Sequence, residues 1–238
     1  MTLTRLSGDS GVGGSPAVYQ RDPRTLVVLG DEVHDPTIPL HPGEAAVAIS
    51  SLLAFDAVCQ IGGPMTMGDL YRMFRMFGES TFRLETLPVY REPSEIPRIA
   101  HFEATGEIRA DEPAIAAWMG MLAGHAAAGR SMRRVHLVRL PLTGYLRFEF
   151  AFQQHSVAAG EDVRVVDLGE HPDLAALDTD FWLFDNRVPI LMRYEADGAL
   201  IGPERAPNDE LERLRGWRDL TWAAAVPLTE FLTRAGAA

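Results

Sequence analysis

Between Glu112 and Val166 helix and strand signals alternate with little slack, and this alternation restricts the fold more than any other feature of the chain. Glu112-Pro113 opens a helix through Trp118, Met119 and Leu122, with proline at the first helical position and Ala128-Gly129 at its end. A strand follows from Arg134 to Arg139. A second helix runs from Thr143, whose hydroxyl suits the N-cap, to Ala159-Gly160, and leads into a strand over Val163 to Val166. Two strands joined through a helix pair in parallel, so a mixed α/β layer is predicted. Further on, Phe181-Trp182-Leu183-Phe184 and Val188 to Tyr194 read as a hairpin through Asp185-Asn186-Arg187. Asn208 or Asp209 is expected to cap a last long helix with Leu211, Leu214, Trp217 and Leu220 on one stripe.

The first 64 residues have a different texture. They are rich in Gly, Pro and Asp, and their short apolar runs Ala17-Val18-Tyr19 and Leu26 to Leu29 predict a small β-meander. Gly11-Val12-Gly13-Gly14 reads as a turn, and Pro42-Gly43-Glu44 as the start of a helix from Ala45 to Phe55 whose Val47, Ile49, Leu52 and Leu53 face a partner surface. Ile61-Gly62-Gly63-Pro64 marks a boundary, and Met65-Thr66-Met67 looks like the start of a second reading frame. The expected organisation is therefore an α+β chain. Its small β-meander and helix, residues 1–64, pack in intimate contact with a larger mixed α/β domain, residues 65–238, suited to be a separate subunit in origin.

Composition removes whole chemistries. All 22 basic residues are arginines, so no Walker lysine, Schiff-base lysine or Ser-x-x-Lys nucleophile can be built. What remains is the arginine fork for carboxylate, phosphate or sulfate, together with carboxylates, tyrosines and histidines. A net charge of −11 disfavours nucleic-acid binding through a basic surface. No apolar stretch approaches the roughly 20 residues of a membrane span, and the N-terminus lacks a signal pattern, which predicts a cytoplasmic protein with no membrane partner. Cys59 stands alone in the apolar run Phe55-Asp56-Ala57-Val58-Cys59, the setting of a quiet thiol. No histidine pair has zinc spacing and no Gly-x-Ser-x-Gly elbow occurs, so neither metal nor cofactor is expected, and catalysis would run through acid/base work and positioning.

The residues suited to that work cluster on two elements. Tyr145 and Glu149 lie four apart on the Thr143 helix and share a face with Phe148 and Phe152; a carboxylate beside aromatics is desolvated and becomes a proton acceptor near neutral pH. Arg147 points to another face, and Arg193 is a partner either for Glu149 or for a substrate anion. Asp180 and Asp185 bracket the apolar strand Phe181 to Phe184, where they either cap turns or meet a ligand, and Trp182 offers an aromatic face to a cation. The candidate site therefore has Glu149 and Asp180 as catalytic acids or bases, with Tyr145, Arg147, Trp182, Asp185 and Arg193 holding substrate.

Three resemblances extend this reading. Ser10-Gly11-Val12-Gly13-Gly14, Asp31-Glu32-Val33-His34-Asp35-Pro36 and Leu40-His41-Pro42-Gly43-Glu44 resemble the small BldB-like family of actinobacteria over about residues 1–55, although Ser15-Pro16 replaces the usual Asn-Cys and no Trp follows Glu44. Tyr145-Leu146-Arg147-Phe148-Glu149, Ala159-Gly160-Glu161-Asp162-Val163-Arg164 and Asp180-Phe181-Trp182-Leu183-Phe184-Asp185 resemble an actinobacterial family of unknown function over about residues 82–225. That likeness implies a fold and helix-turn-helix regulators as neighbours. The two-part layout is similar to the two-subunit enzymes of azinomycin-type biosynthesis that close an aziridine ring by expelling sulfate. The expectation is a tailoring enzyme of secondary metabolism acting without a cofactor on a small amine that bears sulfate; the alternative is a noncatalytic interaction protein serving a helix-turn-helix regulator.

Overall fold

The computed structural model describes residues 4–8, 16–22, 25–34, 37, 38, 40, 42, 45–62, 64–109 and 111–236. The Gly11–Gly14 turn and the Gly43-Glu44 helix start lie outside them. The chain divides into two compact units, residues 1–78 and 79–238. Among the described residues no helix is long and apolar enough to cross a membrane.

The first unit opens with an antiparallel meander, β1 (Thr4–Gly8), β2 (Ala17–Asp22) and β3 (Thr25–Leu29), in that spatial order. β4 (Asp31–Val33) pairs antiparallel with β5 (Ala46–Ala48), and α1 (Ser51–Gly62) and α2 (Met67–Met76) follow. Leu6 of β1, Val18 of β2 and Ala57 of α1 form a small apolar cluster with Ile49. The helix expected from Ala45 therefore begins six residues later. Ser50 decides this, because its hydroxyl accepts the Leu53 amide at 3.2 Å as an N-terminal cap, while residues 46–48 complete a sheet ladder instead. Met65-Thr66-Met67 also has a structural purpose: Thr66 and Asp69 form a reciprocal capping box at the start of α2. Burial raises the Cys59 thiol to about 11, which keeps it protonated and unreactive.

The second unit is built on a seven-stranded mixed sheet. Its elements are β6 (Ser80–Glu85), α3 (Ile96–Thr105), α4 (Pro113–Ala127), β7 (Ser131–Val138), α5 (Gly144–Ala158), β8 (Glu161–Asp167), β9 (Phe181–Phe184), β10 (Val188–Tyr194), β11 (Leu200–Arg205), α6 (Leu211–Ala224), β12 (Val226–Pro227) and α7 (Leu228–Ala235). The strand order is β11-β10-β9-β6-β7-β8-β12, so β6 and β7 lie near the middle. β6, β7 and β8 run parallel and the remaining pairs are antiparallel. The parallel pairing of β7 with β8 across α5 is the arrangement the sequence predicts. Thr143 caps α5 by accepting the Leu146 amide at 3.1 Å, and Gly160 closes it with φ of 108°. A Cβ at Gly160 would stand 2.6 Å from the Ala126 Cβ, so both the turn and the packing require glycine there. Asp185 and Asn186 take φ of 48° and 56°, and the Arg187 amide returns to the Phe184 carbonyl, giving the tight β9–β10 turn.

Two expectations about the C-terminal part are revised. Neither Asn208 nor Asp209 caps α6; residues 208–210 form a 3-10 turn leading into the helix, and the Asn208 amide oxygen accepts from Arg205. A further strand, β12, and helix, α7, follow α6.

The two faces of the sheet bury different chemistry. On one face Phe82, Leu84, Val135, Leu137, Phe181, Leu183 and Leu191 pack beneath Leu211, Leu214, Trp217 and Trp222. On the other, Val163 and Val165 of β8 pack with Leu146 and Phe150 of α5 and Leu228 and Phe231 of α7. At the centre of this second face, strand alternation directs Arg83, Glu85, Arg134 and His136 inward.

Candidate functional site

The site is assembled by register. In the parallel β6–β7 ladder Arg83 lies opposite Arg134 and Glu85 opposite His136, and across β9 Arg83 lies opposite Trp182. These residues are all buried, with the Arg83 side chain only 3% exposed. The indole of Trp182 carries both guanidinium groups, with Arg83 Cζ at 5.6 Å and Arg134 Cζ at 5.3 Å from the ring centroid.

The two arginines are laced to carboxylates. Arg83 Nε donates to Glu85 Oε1 at 3.1 Å and its Nη2 to Asp180 Oδ2 at 2.8 Å. Arg134 Nη1 donates to the same Glu85 Oε1 at 2.8 Å, and its Nε to Glu161 Oε1 at 3.0 Å. Asp180, just before β9, also accepts from Tyr90 Oη at 2.6 Å and from the amide and hydroxyl of Thr86 at 2.9 and 2.8 Å. Tyr90 contacts the rings of both Tyr145 and Tyr194, and Arg83 Nη2 donates to Tyr194 Oη at 3.1 Å.

α5 closes the network from above. Gln153 Nε2 donates to Glu149 Oε1 at 2.7 Å, and Gln153 Oε1 lies 2.8 Å from His136 Nε2. His136 Nε2 also stands 3.0 Å from Glu85 Oε2. One imidazole nitrogen carries at most one proton. With that proton on Gln153, Glu85 Oε2 has no hydrogen-bond partner despite the short separation, and Arg83 Nη1 has none either. Tyr145 shows the same shortage in reverse. Its single phenolic proton faces Glu95 Oε2 at 3.2 Å and Glu149 Oε2 at 3.4 Å, so both contacts are hydrogen bonds only when one carboxyl supplies a proton of its own.

Charge explains which one. Glu85, Glu149, Asp180 and Glu161 face only Arg83 and Arg134 in this network, and neither arginine bonds Glu149. Burial, reinforced by Glu85 and Glu95, raises Glu149 to about 8, while burial also raises Glu95. Burial works against Glu85 too, but Arg134 and Arg83 outweigh it and hold that carboxylate well below its usual range. Burial lowers His136 to about 4, leaving a neutral imidazole, and pushes Tyr194 up to about 12. At neutral pH the protonated form of Glu149 is thus favoured.

The candidate residues from the sequence divide accordingly. Glu149, Asp180, Tyr145 and Trp182 belong to one connected network. Arg147 does not: it is exposed and donates to the Leu142 carbonyl at 2.8 Å. Arg193 is exposed and paired with Glu204, and Asp185 receives the amides of Glu79 and Ser80 at 2.8 and 3.0 Å, a turn-fastening role. Sequence spacing does not single out Tyr90, Thr86, Glu95, Gln153, Glu161 and Tyr194, nor the residues they surround, Arg83, Glu85, Arg134 and His136. Their signal was the alternation of Arg83-Leu84-Glu85 and Arg134-Val135-His136 with charge at every second place, in strands whose other face is apolar. A surface hollow of about 130 Å³, lined among others by Leu140, Asp167, His171, Phe231 and Arg234, shares no residue with the network.

Comparison with known families places this architecture. A model described as a domain of unknown function (DUF6879) matches residues 68–233, which include every residue of the network. The chain belongs to the DUF6879 family. Within DUF6879 the match includes the 82–225 stretch that carries the YLRFE and DFWLFD motifs. No curated protein matches the chain.

Proposed function

We propose that this DUF6879 chain is a small-molecule tailoring enzyme whose acid/base group is Glu149 and whose substrate presents an amine. The observation that carries the reading is the placement of Glu149: a carboxyl bonded to Tyr145 and Gln153, without an arginine, inside a network holding more acids than bases. A surplus of buried acid is stabilised by a bound cation, and an ammonium is the cation that can also give Glu149's carboxylate a proton.

The specific reaction proposed is ring closure with loss of sulfate. A bound ammonium favours the ionised form of Glu149, which first releases its own proton to solvent. The ammonium then passes a proton to that carboxylate, the nitrogen lone pair attacks the carbon that bears the sulfate, the C–O bond breaks, and sulfate leaves with its electron pair. The products are a protonated aziridine (an aziridinium), sulfate and protonated Glu149, and the aziridinium then gives its remaining acidic proton to water; the step is redox-neutral and its chemistry needs no cofactor. An alkyl ammonium has a pKa of about 10.4. Transfer to a carboxylate held near 8 is far less uphill than transfer to an ordinary one near 4.5. Arg83 is the group suited to the departing sulfate, because its Nη1 has no partner and is buried beside the acids. Asp180 fixes Arg83, Tyr90 and Thr86 and is the positioning residue of the set.

The experiment is release of free sulfate from a vicinal amino-sulfate ester by the full chain. Release by the wild type, with a loss of about 100-fold or more in Glu149→Gln, supports the reading. No release, or equal release by Glu149→Gln, overturns it and leaves the interaction-protein reading.

A further inference from the structure

We infer that Glu85, His136 and Glu149 form a binding site for a first-row divalent metal ion. One ligand atom from each lies within 4.8 Å of the other two, so a small side-chain adjustment brings all three within the span of about 4.2 Å that one such ion can bridge. The ligands come from three elements, β6, β7 and α5, all fixed by the sheet register and by helix packing rather than by a loop.

The independent observation is the unused oxygen of Glu85. This residue is 8% exposed, its Oε1 receives both arginines, and its Oε2 has no hydrogen-bond partner while facing His136 Nε2 at 3.0 Å. A buried acceptor left unmet is unfavourable, because its lost hydration is not replaced. Two ligands held about 2.1 Å from one ion and at right angles to each other stand about 3.0 Å apart. Once His136 carries its proton on Nδ1 and Nε2 gives up its bond to Gln153, the Glu85–His136 contact has the spacing of two adjacent metal ligands.

Charge and donor type agree. With Glu149 ionised, the carboxylates of Glu85, Glu149, Asp180 and Glu161 outnumber the two guanidiniums, and a divalent ion offsets that excess. The set of one imidazole and two carboxylates suits Zn²⁺, Mn²⁺, Fe²⁺ or Co²⁺, and the nitrogen ligand disfavours Mg²⁺ and Ca²⁺. Arg134 and Arg83 hold the distal oxygen of Glu85, and Gln153 holds Glu149, in the manner of groups that orient metal ligands from behind.

This site does not depend on the ring-closing reaction. A bound metal occupies the lone pair that Glu149 would use as a base, so metal and substrate amine are alternative partners of the same carboxylate. The test uses the full chain without a histidine tag, titrated with Zn²⁺ and with Co²⁺, with Mg²⁺ as the contrast. The expected result is one equivalent of Zn²⁺ by calorimetry and a visible absorption band with Co²⁺. His136→Gln and Glu149→Gln should each weaken binding by at least about 10-fold, while His155→Gln, an exposed histidine on the same helix, should bind as wild type. Circular dichroism and thermal unfolding confirm that each variant is folded. No binding, or binding that survives both His136→Gln and Glu149→Gln, overturns the metal site. Metal binding together with no sulfate release by the metal-free chain leaves this inference standing and removes the proposed reaction; sulfate release by a chain that binds no metal does the reverse.

Discussion

The two faces of the central sheet are built from the same strands and do opposite things. On β6, Phe82 and Leu84 enter an apolar core while Arg83 and Glu85 enter a charged one; on β7, Val135 and Leu137 do the first and Arg134 and His136 the second. Apolar burial yields roughly 25 cal/mol per Å² wherever shapes fit. Buried charge stabilises little even when paired, and becomes strongly unfavourable once a partner is lost. The difference teaches that the α6 face supplies the stability and the α5 face uses some of it, which is the pattern of a fold carrying a site.

Truncating the apolar face should give the largest loss of stability. Phe181→Ala, at a fully buried position that meets the Phe82 ring at 5.8 Å, should cost about 3–5 kcal/mol in denaturant unfolding. A loss below about 1 kcal/mol would mean that this face is not the support described. Next, Arg83→Met should cost about 3–5 kcal/mol through the stranded charges of Asp180 and Glu85, and Arg83→Met combined with Asp180→Asn should recover part of it. Simple additivity in that double-mutant cycle would show that the network is not coupled. Gly160→Ala should cost about 1–3 kcal/mol, because φ of 108° and the Ala126 contact both resist a side chain. An unchanged melting temperature would count against the close α4–α5 approach.

Much of this fold was legible in the sequence because its signals are local. Thr143 and Gly160 bracket α5, Pro113 and Gly129 bracket α4, and Asp185-Asn186 form the turn of the hairpin. The strand over residues 46–48 is not legible in sequence, because its apolar residues suit a helix as well as a strand and the Ser50 cap is a single side chain. The edge strand β11 carries a weak pattern, and α3 and α7 are short, although α7 repeats apolar residues at Leu228, Phe231 and Leu232. The site was half legible. Tyr145 and Glu149 share a helix face and were found together, and the DFWLFD motif drew notice to Asp180 and Trp182. Arg83, Glu85, Arg134 and His136 meet only through strand register, which no local spacing reveals, and that register also exposes Arg147, Asp185 and Arg193 as surface or turn residues.

The smallest expected effect in size is the most informative in sign. Glu149 titrates near 8 when folded and near the ordinary 4.5 when unfolded, so the folded state binds the extra proton between those values. Its contribution to stability is then fully present below about 4.5 and is lost as pH rises toward and through 8. His136 titrates near 4 folded and near 6.5 unfolded, which makes acid destabilise the fold in that lower window and leaves the pH range above 7 to Glu149. The most direct measurement is therefore the unfolding free energy of wild type and Glu149→Gln between about pH 7 and 8.5. If Glu149 is an acid kept for chemistry, wild-type stability falls across this range, Glu149→Gln removes most of the slope, and the variant is the more stable protein at the alkaline end. If Glu149→Gln is instead less stable than wild type at every pH, with the slope intact, Glu149 is a structural member of the core and the account of the α5 face as a working site is wrong.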